Sequence, residues 1–284
     1  MSEITAAAVK SLRDRTGAGM MDCKKALEET GGDEEQAIDL LRKKGAAKAA
    51  KRSDREAEEG VVEVSGPDAE GVVSMVEVTS ETDFVARNDE FRAFAERAAE
   101  VARTAGAAEG DVREGEEILD LPEDAPLREE LNGLRAKIGE NLRFRRWVRL
   151  AADDDARIGS YIHFGSKIGV LVEVAGLDDG ADDLLRDVAM HVAAAAPAGV
   201  SREDIPEEER ERERKVLREQ AEEEGKPPEI VEKIVEGRMR KFYEENTLLE
   251  QGFVKDPDRT VGDLLREAGP DVSVRRFVRF EIGD

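Results

Sequence analysis

The order hairpin, loop, helix occurs twice in the middle of this chain, and that repetition limits the folds open to it. VVEV (61–64), a turn at SGPD (65–68) and GVVSMVEV (71–78) alternate with a period of two, and FRAFAERAAEVA (91–102) then follows the period of an amphipathic helix. IGSYIHF (158–164), a turn near Gly165, KIGVLVEV (167–174) and DDLLRDVAMHVAAAA (182–196) repeat that order. The shared Val-Glu-Val at 76–78 and 172–174 sets the register, so that Phe91, Ala95, Ala99 and Ala102 correspond to Leu184, Val188, Val192 and Ala195. An apolar strand face and an apolar helix stripe must each be covered, so the middle of the chain reads as two related α+β subdomains side by side. The copies differ in one loop: only the first carries TDFV (82–85) between strand and helix.

Three short helices are expected ahead of this core. Ile4, Ala8, Val9 and Leu12 give a helical stripe, TGAG (16–19) interrupts it, and a second helix runs from about Met21 to Gly31-Gly32. A third opens at Asp33 with Gln36 three residues on, resembling a capping box, and is expected to stop at Gly45 before an Ala, Lys and Arg bridge at 46–55. In RFRRWVRL (143–150), alternation puts Phe144, Val148 and Leu150 on one strand face with Arg146, and Arg143, Arg145, Trp147 and Arg149 on the other. Residues 206–242 predict a projecting helical hairpin. Gly225 ends its first arm, prolines open the second, and Ile230, Ile234, Val235, Met239 and Phe242 form a stripe facing only Val216 and Leu217. TVGDLLREAG (260–269) and VSVRRFVRFEI (272–282) predict a closing helix and strand. The expected domains are 1–55 (three helices and linker), 56–142 (first subdomain) and 143–284 (second subdomain, with the hairpin inserted at about 206–242).

Charge narrows the function. A formal net charge of -23 opposes a partner that is mostly phosphate backbone, because such affinity comes from Lys and Arg releasing counterions. The basic stretches 42–55 and 143–150 read as solvated faces, and no direct nucleic-acid partner is expected. A lone Cys23 excludes an internal disulfide and a thiolate zinc cluster, which fits a reducing cytoplasm. The N-terminus lacks a signal pattern, and no apolar run reaches the roughly 20 residues of a membrane helix, so neither secretion nor membrane insertion is expected. GAGMMD (17–22) lacks the third glycine and preceding strand of a dinucleotide fingerprint, and GxxxxGK[ST] does not occur.

The two histidines, His163 and His191, are not at metal-ligand spacing, and no cofactor is expected. His191 lies in an apolar helix pattern and reads as a buried, hydrogen-bonded residue, whereas His163 at a hairpin turn is open to either a functional or a merely exposed role. Asp83 reads as a cap for the turn DFVA rather than as a catalytic base. For Phe84 two readings stand: a side chain folded back on the hairpin, or one held outward, as polar Asp83, Arg87 and Asn88 and a loop on a rigid scaffold favour. The residues describe a binding protein without a visible active site.

TGAGMMDCKKAL (16–27), TDFVARND (82–89), KIGENL (137–142), YIHFGSKIGVLVEV (161–174), MHVAA (190–194), VEGRMRKF (235–242) and RFVRFEIG (276–283) together resemble bacterial translation elongation factor Ts, block by block and in the family's order. The resemblance implies a guanine-nucleotide exchange factor that binds elongation factor Tu in its GDP-bound and nucleotide-free forms. It implies a ubiquitin-associated-like N-terminal module resting on the GTPase domain, with Arg13, Met20 and Met21 contributing there. Thr82, Asp83, Phe84 and Val85 would enter the magnesium side of the nucleotide pocket, and Ile138, Gly139 and His163 match further contact positions. The hairpin matches the family's coiled-coil protrusion, and a homodimer is left open. The rival classes are a ubiquitin-like adaptor, an RNA-associated translation protein using 42–55 and 143–150, and a hydrolase built on Asp83 and His163.

Overall fold

The computed structural model describes residues 4–104, 110–120, 126–178, 180–225 and 227–284; the first three residues of the N-terminal stretch read above lie outside them. Three helices come first, α1 (Ala6–Thr16), α2 (Met20–Glu29) and α3 (Glu34–Ala50), closing on Val9, Leu12, Cys23, Ala26, Leu27 and Ala37. Asp33 caps α3 as its spacing predicts, its carboxylate accepting from the Gln36 amide at 2.9 Å. Gly45 does not end that helix, contrary to expectation: α3 continues to Ala50. A Cβ at Gly45 would lie at ordinary contact distance, 3.5 Å, from Ala136 of the next subdomain, so the packing there does not require a glycine.

That subdomain begins with the hairpin β1 (Glu59–Ser65) and β2 (Val72–Ser80), then the single turn α4 (Asp83–Ala86) and the long α5 (Asp89–Thr104). After β3 (Arg113–Glu114) and α6 (Leu127–Ile138), β4 (Arg143–Ala151) returns antiparallel to β2, giving the order β1-β2-β4-β3. Residues 143–151, expected to open the second subdomain, therefore pair with β2 and complete the first sheet. Strict alternation along β4 also fails. Glu77 faces Arg146 but Val78 faces Phe144, which leaves Arg145 as an extra residue. The bulge turns Phe144 to the side of Trp147, both buried with α5 and α6, while Val148 and Leu150 belong to the core between the sheets.

The second subdomain repeats this plan with β5 (Ala156–Ile162), β6 (Ile168–Ala175) and α7 (Asp182–Ala195). The hairpin α8 (Glu207–Glu223) and α9 (Pro228–Asn246), the small pair β7 (Gly252–Phe253) and β8 (Asp256–Thr260), and α10 (Val261–Ala268) precede the closing β9 (Ser273–Glu281). The strand order is β5-β6-β9, and the bulge recurs: Glu173 faces Arg276 while Val174 faces Val274. The repeat thus extends to a third strand, with RRWVR (145–149) and RRFVR (275–279) in equivalent places. The two sheets meet across Val62, Val73, Met75, Leu171 and Phe280. In the helical hairpin the buried stripe is Val231, Val235, Met239 and Tyr243 against Ala221; Val235 and Met239 are as expected, Ile234 and Phe242 pack against it half-buried, and Ile230 is exposed.

Candidate partner-binding site

TDFV does not present its four side chains alike. Thr82 is extended at the N-cap of α4, with φ -129° and ψ 153°, and the single helical turn that follows spreads its side chains about 100° apart, some toward the core and some away from it. Val85 and Ala86 turn inward into the first core beside Val61, Val78 and Phe91. Phe84 turns outward and is 82% exposed, so the folded-back reading does not hold. Asp83 is the first residue of α4 rather than its cap, and its carboxylate pairs with Arg87 at 3.0 Å, one turn on. Asn88 closes the motif, its Oδ1 accepting from the amides of Glu90 and Phe91 at 3.0 and 3.2 Å, which caps α5.

The Thr82 hydroxyl is not used as a cap. It donates to Glu140 Oε1 at 2.7 Å, and the other Glu140 oxygen accepts from the Glu81 and Thr82 amides at 3.1 Å each. In return the Glu81 carboxylate accepts from the Asn141 amide at 2.6 Å and from Arg55 at 3.3 Å. The turn after α6 that supplies these groups depends on Gly139, which ends the helix in the left-handed region at φ 83°. Ile138 is half-buried and packs against the first core. Of the positions expected from KIGENL, then, Ile138 and Gly139 shape the turn, and Glu140 is the residue that reaches the Phe84 loop.

Arg13, Met20 and Met21 are exposed on the three-helix module, the methionines 55% and 63% so. An apolar pair this open, on a module that has its own core, is available to a partner. His163 lies at the tip of the β5–β6 hairpin, its Nδ1 3.3 Å from the Tyr161 hydroxyl and its backbone closing the turn with Ile168 and Ser166. Beside it Phe164 is 97% exposed, a residue that sequence reasoning passed over. The signal was there: like Phe84, it is a bare aromatic in a polar loop at the end of a β element.

The remaining polar groups support structure. His191 is buried, Nε2 3.0 Å from Gln251 Oε1, while its Nδ1 accepts from the Val254 amide at 3.2 Å, and burial holds its pKa below the ordinary value. The arginines of 143–150 are engaged internally: Arg145 and Arg146 on Glu77, Arg149 on the Arg103 carbonyl, Arg143 on the Ser53 carbonyl. Among the described residues, no cluster of three or more His, Cys, Asp or Glu is placed to hold a metal ion. No described helix is long and apolar enough to cross a membrane.

Comparison with known proteins gives this geometry a context. Residues 81–284 match the sequence model of the family described as Elongation factor TS. Over 292 aligned residues the chain is 48% identical to Elongation factor Ts of Alkalilimnicola ehrlichii, covering 99% of this chain and 92% of that protein. Elongation factor Ts of Hydrogenovibrio crunogenus is 49% identical with the same coverage, and that of Aquifex aeolicus is 47% identical over 97% of this chain and 96% of its own. Because the match takes in the Phe84 loop, the turn after α6 and both sheets at such identity, the chain belongs to the elongation factor Ts family.

Proposed function

We propose that this protein is a guanine-nucleotide exchange factor of translation elongation that binds elongation factor Tu carrying GDP and promotes release of that GDP, so that GTP can bind. The observation that carries the reading is the presentation of Phe84, 82% exposed on a turn whose next two residues are buried in the core. A stiff aromatic on a fixed base loses little entropy on insertion, which suits it to displace elements around a phosphate and magnesium site. Asp83 accompanies it at the tip, while Thr82 and Val85 hold the loop from behind. Arg13, Met20, Met21, His163 and Phe164 supply contact area on the three-helix module and the second hairpin.

No covalent chemistry is needed. If the factor binds the nucleotide-free GTPase more tightly than the GDP form, GDP binds the complex more weakly by the same ratio, and incoming nucleotide expels the factor. Direction is then set by the cytoplasmic excess of GTP, because the factor lowers the barrier for both nucleotides. The test is release of a fluorescent GDP analogue from elongation factor Tu of the same organism, chased with unlabelled nucleotide. Wild type accelerates release, and Phe84→Ala loses about 2 kcal/mol or more of that effect, about thirtyfold, as a buried aromatic anchor does. No acceleration by the wild-type protein would overturn the reading.

A further inference from the structure

We propose that Glu140 is a positioning residue for Phe84: together with Glu81 it forms a reciprocal carboxylate latch that fixes where the exposed aromatic points. The proposal deepens the exchange-factor reading and rests on it. A helix of one turn has no stability of its own, since nucleation costs more than its few bonds return. The orientation of α4 is therefore set from outside, at both ends. Val85 and Ala86 anchor its far end in the core, and the near end is held at Glu81 and Thr82 by groups from the turn after α6.

The geometry identifies Glu140 as the holding group. Both of its oxygens are engaged by residues 81 and 82, at 2.7 to 3.1 Å, so this carboxylate is committed inside the protein rather than offered to a partner. Glu81 answers from the opposite side, taking the Asn141 amide, so the strand-to-helix connection at 81–82 and the helix-to-strand turn at 139–142 grip each other through backbone as well as side chains. Bonds from amides to a carboxylate are the stronger kind, and a loop held by several of them is rigid in a way that one contact would not make it. The linker from the three-helix module joins the same latch: the Asn141 side-chain amide donates to the Arg55 carbonyl at 2.7 Å and to the Ser53 carbonyl at 3.3 Å, and Arg55 pairs with Glu81. The aromatic and the module carrying Met20 and Met21 are thus referred to a single anchor.

Glu140→Ala, Glu140→Gln and Phe84→Ala, and the double variant, are to be compared in the GDP-release assay at saturating factor, with melting temperature and amide hydrogen exchange at residues 81 and 82 measured on the free protein. Glu140→Ala is expected to lower the maximal release rate about tenfold, because a misdirected group loses its effect even when bound. Its amides at 81 and 82 exchange faster while the melting temperature changes little. Glu140→Gln keeps the rate within about threefold, since its carbonyl still accepts from the amides and its NH2 can donate to the Thr82 hydroxyl. In the Phe84→Ala background, Glu140→Ala has no further effect. A wild-type rate in Glu140→Ala, an equal loss in both backgrounds, or a glutamine as poor as the alanine would each overturn the latch. Should Glu140→Ala not fold, Thr82→Val, which removes the hydroxyl donor, carries the same comparison. If wild type itself fails to release GDP, the function falls, while unchanged exchange at residues 81 and 82 in Glu140→Ala would remove the latch independently.

Discussion

The Glu77 carboxylate, fully buried in β2, an inner strand of the first sheet, meets Arg146 Nε at 2.5 Å across the bulge in β4, with Arg145 on its other oxygen at 2.8 Å. Glu173 and Arg276 stand in the same relation in the second sheet, at 2.6 Å. The shared Val-Glu-Val therefore marks a structural device, a buried acid neutralised by an arginine beside the bulge. Removing the acid leaves Arg146, 16% exposed, without its partner, while Arg145 at 34% can turn to water, so the loss falls at the lower end of the ~3–5 kcal/mol of a fully buried pair. Glu77→Ala is expected to lose about that much in denaturant melts. Glu173→Ala should lose less, because Arg276 is 37% exposed and water can take over. Equal losses would show that exposure of the arginine does not govern the cost.

Phe84 and Val85 are neighbours with opposite duties, and substitution separates them. Phe84→Ala removes an exposed ring and should change stability by no more than about 0.5 kcal/mol while abolishing most of the exchange activity. Val85→Ala removes a side chain from the first core and should cost about 1–3 kcal/mol. A Phe84→Ala protein that melts much lower than wild type would mean the ring is needed for folding, against its 82% exposure.

Much of this was legible in the sequence, and the misses have physical causes. The two hairpins and their helices announce themselves through a change of period from two to 3.6, whereas the polar neighbours of Phe84 left its direction open and only the family resemblance pointed outward. The phase of β4 was lost at Arg145, because a bulge inserts one residue that no alternation rule can place, and with it went the likeness of RRWVR to RRFVR. Gly45 was misread as a stop, since a glycine tolerated inside a helix looks in sequence like one that ends it. The role of Glu140 could not be read at all, for it depends on contacts made 58 and 59 residues away.

Phe164 tests whether the second hairpin also meets the partner. At 97% exposure its ring contributes little to the fold, so Phe164→Ala should leave the melting temperature unchanged. If the tip lies in the interface, the same variant raises the concentration of factor needed for half-maximal GDP release, with a smaller effect on the maximal rate. That split is expected of a contact distant from the nucleotide, which adds affinity without disturbing the phosphate site. A full set of wild-type parameters would place Phe164 outside the interface.

The two sheets pack tightly at Gly169 in β6. A Cβ there would lie 2.4 Å from Val62 Cγ1 and 2.9 Å from Met75 Sδ, closer than packed atoms tolerate. Gly169→Ala must therefore push the first sheet away from the second or twist side chains off their rotamers, at about 1–3 kcal/mol. Chemical denaturation measures it, and pairing the change with Val62→Ala, which empties the space, should recover part of the loss. No recovery would mean that the backbone rather than the side chain absorbs the strain.

His191 makes stability depend on pH, and the sign follows from its surroundings. Burial is the main cause that lowers its pKa, with the Gln251 hydrogen bond opposing it. The folded protein then binds fewer protons than the unfolded chain, so stability is full above the ordinary histidine value of about 6.5 and falls as pH drops below it, levelling off once the folded group also protonates. Glu63 acts the other way, since burial first and then Glu96 raise its pKa, which favours the folded state on acidification. The informative quantity is therefore the difference between proteins. Between about pH 7.5 and pH 5.5, the melting temperature of wild type should fall more steeply than that of His191→Gln, which has lost the titrating ring. Parallel curves would mean that His191 gains its proton as readily in the folded protein as in the unfolded chain.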